Sequence, residues 1–267
     1  MIFRNTKSPV QIELDAIAKK EEKLRKQAYS AHQSKWQNAL EEKIPEKVHS
    51  GLQSGFAKAF GIIFEKGDFV LNKTLNAESI AEEFDVLDYA VERSGGKKDI
   101  RNMKRAAAQS NAVNTLLTTA EGIGFGALGI GLPDIVLWVG FLLRGVYETA
   151  LKYGFSYDTP EEQYFQLKLI ETSLQVSDKW EDGNDWVDHA MAGALVSPTQ
   201  EEMRQQINRT SDTFAEQLLV AKFIQGLPIV GMAGGAANPF YYQKIMKYVE
   251  LKYRKRYFTV KTVKNNA

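Results

Sequence analysis

The side chains best suited to chemistry in this chain are three carboxylates and an arginine near a glycine-rich run: Glu121, Asp134, Arg144 and Glu148. At ~100° per residue, Asp134, Arg144, Glu148 and Lys152 fall within about a quarter turn of one helix. Inside an apolar layer such a cluster would offer a general acid, a general base and a cation, the parts of a hydrolase. The same stripe also fits an ordinary solvated helix face, with Arg144 and Glu148 as an i,i+4 pair. The three histidines, His32, His49 and His189, are far apart in the chain. There is no cysteine, which excludes disulfides, zinc–thiolate sites and a cysteine nucleophile.

Motifs of other chemistries fail on context. Gly124-Phe125-Gly126-Ala127-Leu128-Gly129 has the dinucleotide spacing, but it follows a helix-like segment where a strand is required. No phosphate-binding GxxxxGK[ST], GxSxG, HExxH or CxxC occurs. Residues 178–189 (DKWEDGNDWVDH) resemble a calcium loop only in outline. Trp180 and His189 stand where ligands belong and the bidentate Glu is missing, so the segment reads as an acidic surface turn. Neither a cofactor nor a metal is expected.

The C-terminal part carries a different signal. Residues 241–267 hold eight basic side chains against Glu250, interleaved with Tyr241, Tyr242, Tyr248, Tyr253, Tyr257 and Phe258. Lys244, Lys247, Tyr248, Lys252, Arg254, Lys255, Arg256 and Tyr257 are candidates for contact with anionic lipid heads, since Lys/Arg and Tyr flank membrane interfaces. The alternative is pairing with residues 158–216, which carry 13 acidic and 4 basic side chains.

These residues must be positioned by helices. Residues 15–47 alternate charge signs around sparse apolar positions, the pattern of an exposed amphipathic helix that Pro45 ends. In residues 46–66, Val48, Leu52, Phe56, Phe60 and Phe64 make one apolar stripe. Residues 79–93 repeat the pattern, with Ser79 and Glu82 as a capping box and Ser94-Gly95-Gly96 as the stop. Residues 99–120 continue with helical period. Thr159-Pro160-Glu161-Glu162 and the segment from Ser197 to Glu202 are further helix starts. Only FTVKTV (258–263) alternates like a strand, so the chain reads as all-α.

Two runs interrupt this texture. Residues 122–143 contain one charge, Asp134, and residues 223–243 contain none. Each is long enough to span a bilayer. Yet Pro133 breaks the first, and Asp134 would cost a few kcal/mol at the bilayer centre. Two bent helical hairpins fit better, with corners at Gly131, Pro133, Gly226 and Pro228. The second hairpin would pack closely through Gly231 and Gly235, as the first would through Gly122 and Gly126. Such hairpins suit either a buried core or partial membrane insertion.

Across 267 residues the formal net charge is +1, with 44% apolar and 25% charged side chains, the balance of a folded domain. That charge gives no bulk attraction to nucleic acid, and no nucleic-acid partner is expected. The first residues lack an apolar export segment, so the cytoplasm is the expected compartment.

The run AEGIGFGALGIGLPDIVLWVGFLLRGVYETALKYGFSYDTPEEQYFQLKLIE resembles the EcsC family of bacterial proteins. The features are the glycines after Glu121, the Pro133-Asp134 corner, Arg144, Tyr153-Gly154-Phe155 and Pro160-Glu161-Glu162. Residues 222–258, with Pro228, Gly231, Gly235 and Asn238 before a basic helix, are similar to the family's second signature, and IPEKVHSGLQSGFAKAF also fits. Leu132 and Ile135-Val136 stand where many relatives have a second proline. The resemblance covers roughly residues 36–258 and carries over no catalytic residue. It implies a protein whose founding relative is encoded beside an ABC transporter. The expected organisation is an exposed helix over 1–35, a helical domain over 36–258 with the two hairpins at its centre, and a basic tail over 259–267. The expected role is that of a cytoplasmic accessory protein, peripheral to the inner membrane, which binds lipid or modulates a membrane transport or secretion partner. A hydrolase built on the carboxylate–arginine cluster and a soluble helical scaffold are the alternatives.

Overall fold

The computed structural model describes residues 7–32, 46–70, 75–108, 132–193, 195–225 and 237–266. Among them are nine helices and no strand: α1 (Pro9–His32), α2 (Glu46–Val70), α3 (Ala77–Ser94), α4 (Lys97–Ala108), α5 (Leu132–Lys152), α6 (Pro160–Leu174), α7 (Ser177–Ala192), α8 (Gln200–Gln225) and α9 (Ala237–Asn266). The chain is all-α, as the helical periods require. Of the expected hairpin corners, Gly131, Gly226, Pro228, Gly231 and Gly235 lie outside the described residues. Pro133 is the second residue of α5, where a missing N–H breaks no helical hydrogen bond.

Local chemistry sets several helix ends. Thr159 caps α6 by accepting from the Glu162 N–H at 3.4 Å, with Pro160 following in the first turn. At the start of α8, the Thr199 hydroxyl accepts from the Glu202 N–H at 3.2 Å and the Glu202 carboxylate accepts from the Thr199 N–H at 2.8 Å, a reciprocal capping box. Gly95 closes α3 at φ +57°, its N–H donating to the Val91 carbonyl at 2.8 Å. The cap at the other end of α3 differs from expectation. Asn76, not Ser79, is the N-cap, and its side chain accepts from the Ser79 N–H. The helix therefore begins one turn earlier, where an Asx side chain already offers an acceptor.

Two segments differ from their sequence reading. Residues 258–263 are the last turns of α9 and not a strand. Tyr257, Phe258 and Lys261 are buried, while Val260 and Val263 are exposed, so burial here follows the helical period and not the period of two. Residues 178–189 are not an acidic turn but the body of α7. Trp180, Val187 and Met191 give that helix a buried stripe, and its acids lie mostly on the outer face.

The core is aromatic. Phe56 of α2 stacks on Phe214 of α8 with ring centroids 5.0 Å apart, and Trp138 of α5 sets its edge against Phe214 at 5.1 Å. Helix α9 is enclosed by α1, α5, α6 and α7. Gly145 lets α5 approach it closely, because a Cβ there would meet the Tyr242 hydroxyl. The α5 helix ends at Gly154, φ +74°, where a Cβ would run into the Phe84 ring. Helix α1 is amphipathic but not wholly exposed: Ile17 and Ala28 are buried, on a helix packed against α7 and α9.

Candidate functional site

The polar stripe of α5 comes first. Glu148 and Lys152 are both buried and form an ion pair at 2.9 Å. Arg144 is half-buried, and its Nε is enclosed without a hydrogen-bond partner among the described residues. Glu148 thus pairs with Lys152, the residue one turn after it. Glu121 and the side chain of Asp134 lie outside the described residues, so the hydrolytic cluster is not assembled from them here.

Five cations of α9, Lys252, Arg254, Lys255, Arg256 and Lys261, face inward. Lys252 is fully buried and reaches Glu21 of α1 and, at 2.6 Å, Asp188 of α7. Lys255 contacts the same two carboxylates at 2.8 Å each. Burial alone would lower the pKa of the Lys255 ammonium, but its hydrogen bonds to Asp188 and Glu21 outweigh burial and hold it above the usual lysine range. Arg256 donates from Nη1 to both oxygens of Glu162 at 2.9 Å, and the Tyr253 hydroxyl donates to the same carboxylate at 2.6 Å. Farther along α9, Tyr257 donates to Asp88 at 2.6 Å, and Lys261 binds Asp88 and Glu92 of α3. The buried Arg254 reaches Glu250 at 3.6 Å, and the buried Tyr248 donates to Asn184 at 3.0 Å. The acidic 158–216 segment therefore supplies Glu162 and Asp188. Glu21, Asp88 and Glu92 come from helices earlier in the chain.

Two candidates remain apart. Lys244 and Lys247 have no carboxylate partner among the described residues, and both line a cleft of about 470 Å3 between α1, the α6–α7 link and α9. The cleft wall is mainly apolar, with Leu24 and Ala28 on one side, Val176 and Trp180 on another, and Phe240 beside the lysines. Among the described residues, the charged lining residues are the two lysines. Lys244 is half-buried and its ammonium donates to the Leu174 carbonyl at 3.4 Å. Burial pushes its pKa down to about 8, because nothing of opposite charge offsets the lost hydration. Phe240 is 64% exposed, a large apolar side chain turned toward water. The adjoining wall turns at Ser177, a non-glycine residue at φ +52°. Such a conformation costs of order 1–3 kcal/mol and persists only where the surroundings enforce it.

A second cleft of about 350 Å3 is lined by Glu161, Tyr164, Trp186, His189, Ser197 and Glu202 among others. Its acids are accounted for by helix starts. Ser197, the backbone at Glu161 and Thr159 hold Glu161 below the usual carboxylate range, and the Thr199 N–H and hydroxyl do the same for Glu202. His189 is exposed, and its Nδ1 lies 2.7 Å from the Asp185 carbonyl. No group of three or more His, Asp or Glu side chains that could hold a metal occurs among the described residues.

The cleft of α9 was not visible in the sequence. Its walls come from residues 24–28, 173–180 and 240–248, and of these Lys244, Lys247 and Tyr248 carried a signal in the sequence.

The model of the EcsC protein family matches residues 10–258, and the chain belongs to this family. The match begins at residue 10, inside α1. No curated protein and no solved structure matches the chain.

Proposed function

We propose that this EcsC-family chain is an accessory protein of the cytoplasmic face of the inner membrane, peripherally bound, which contacts lipid and modulates a membrane transport or secretion partner. The observation that carries the reading is where the two uncharged runs join the bundle. Residues 122–131 lead into α5, and residues 226–236 link the end of α8 to the start of α9. These helix segments touch one another. Trp138 packs on Phe214, Tyr241 donates to the Gln217 carbonyl at 2.7 Å, and Gly145 abuts Tyr242. The helices that flank the two runs in sequence are thus in contact with one another. Leu137 and Phe240, within the runs 122–143 and 223–243, are exposed.

Among the described residues no helix is long and apolar enough to cross a membrane. Peripheral contact through the runs is the reading proposed. Apolar surface entering the interface supplies the affinity, and Lys244 and Lys247 beside Phe240 add about 1 kcal/mol each near anionic lipid. Lys252, Arg254, Lys255, Arg256 and Lys261 have their partners within the protein.

Vesicle flotation tests this. The full chain floats with vesicles containing phosphatidylglycerol, and Leu227→Glu/Ile229→Glu reduces the floating fraction several-fold without lowering the melting temperature. A wild-type chain that stays at the bottom of the gradient with such vesicles contradicts the proposal.

A further inference from the structure

We infer that the cleft between α1, the α6–α7 link and α9 is a binding site for a single-chain anionic amphiphile, a fatty carboxylate whose head meets Lys244 and whose tail lies along Leu24, Val176 and Trp180. Three observations converge on it. The cleft falls within the roughly 300–1,000 Å3 of small-molecule sites and has mainly apolar walls. Its charged lining residues are both lysines, so its electrostatics select an anion. Lys244 is a part-buried ammonium satisfied only by a carbonyl at 3.4 Å among the described residues, whereas the other part-buried or buried lysines of α9, Lys252, Lys255 and Lys261, each hold two carboxylates. Cations taken out of water are ordinarily paired. A carboxylate at the Lys244 ammonium would complete the pattern its neighbours show.

The geometry also selects against other ligands. A small anion would satisfy the lysines but leave the Trp180 and Val176 wall wet. A neutral alcohol of the same length would cover that wall and leave Lys244 unpaired. Lys247, at the exposed side of the cleft, adds attraction without burial. Phe240, within the uncharged run 223–243, stands beside both lysines. The inference rests on the membrane reading only for the source of the ligand, a lipid surface that sheds or receives fatty acid. Binding in the cleft itself needs no membrane.

Isothermal titration of the full chain with dodecanoate, below the concentration at which it forms micelles and without vesicles, tests the site. Dodecanoate binds saturably at one site per chain, and dodecanol and acetate bind at least tenfold more weakly. Lys244→Met weakens dodecanoate at least tenfold, as the loss of a charge-assisted contact should, while its melting temperature does not fall. Ala28→Trp, which fills the cleft from α1, also abolishes binding. Equal affinity of wild type and Lys244→Met, or of dodecanoate and dodecanol, overturns the inference, as does binding that survives Ala28→Trp in a folded variant. Saturable dodecanoate binding by a chain that does not float with vesicles removes the membrane reading alone. Flotation without dodecanoate binding removes this inference alone.

Discussion

The ammonium of Lys252, wholly enclosed by protein, lies 2.6 Å from the carboxylate of Asp188, 64 residues earlier in the chain. Glu21 and Lys255 complete a four-membered cluster that ties α1, α7 and α9 together. Charges removed from water are costly unless paired, so the cluster matters most when one member is lost. Lys252→Ala leaves two carboxylates facing one ammonium and lowers unfolding stability by about 3 kcal/mol. Urea denaturation monitored by tryptophan fluorescence measures this. A loss below about 1 kcal/mol would mean that the cluster is solvated and does not clamp the helices.

Helix α9 also constrains how membrane binding can be tested. Changing Lys252, Arg254 and Arg256 together to Glu places negative charge against Glu21, Asp188, Glu162 and Glu250. The triple variant loses its cooperative melting transition, as scanning calorimetry or circular dichroism would register. A triple variant that melts like wild type would contradict the inward placement of these cations.

Gly154 stops α5 in the left-handed region, and Phe84 of α3 closes over it. Gly154→Ala therefore meets both backbone strain and a ring, and costs about 2–3 kcal/mol. In a Phe84→Leu background, where the ring is gone, the same change costs about 1 kcal/mol, the backbone part alone. Chemical denaturation of the four chains in this double-mutant cycle reads the difference. Equal costs in both backgrounds would show that the ring does not press on this turn.

The lowered pKa of Lys244 makes a stability prediction of definite sign. Its folded value is about 8 and its ordinary value 10.5, so between those pH values the unfolded chain binds the extra proton. The destabilisation is complete below about pH 8 and fades as pH rises toward 10.5. Lys244→Met removes it at every pH. The variant is therefore more stable than wild type by on the order of 2–3 kcal/mol at pH 7, and the gap closes between pH 8 and 10.5. Comparing the two chains cancels the titration of the tyrosines, among them Tyr241, which burial raises to about 12. A gap that is absent at pH 7, or that persists unchanged at pH 10.5, would contradict the unpaired environment of Lys244.

Much of the fold was legible because it is written in local chemistry. The stripe of Leu52, Phe56 and Phe60, the Thr159 and Thr199 caps and the Gly95 stop depend on residues within a few positions of one another. The strand-like FTVKTV was misleading because β-branched alternation is a weak preference, and burial of Phe258 and Lys261 one turn apart decided for the helix. The acidic 178–189 segment was misleading because its charges hid the stripe of Trp180, Val187 and Met191. The basic helix was read correctly as basic, but its partners could not be. Glu21 is more than 200 residues away from Lys252, and charge composition does not say which carboxylate meets which ammonium. The cleft was illegible for the same reason, since its walls come from three distant segments.

The chain contains no cysteine, so a single cysteine can carry a reporter anywhere without side reactions. An environment-sensitive fluorophore on Ile229→Cys, within the second uncharged run, reads membrane contact at the site that matters. The same label on Val196→Cys, 83% exposed on the link between α7 and α8, is the control. Vesicles containing phosphatidylglycerol shift the emission at 229 to the blue and increase its intensity, and leave the emission at 196 unchanged. Emission at 229 that ignores the vesicles, or an equal shift at both positions, contradicts membrane contact through the glycine-rich runs.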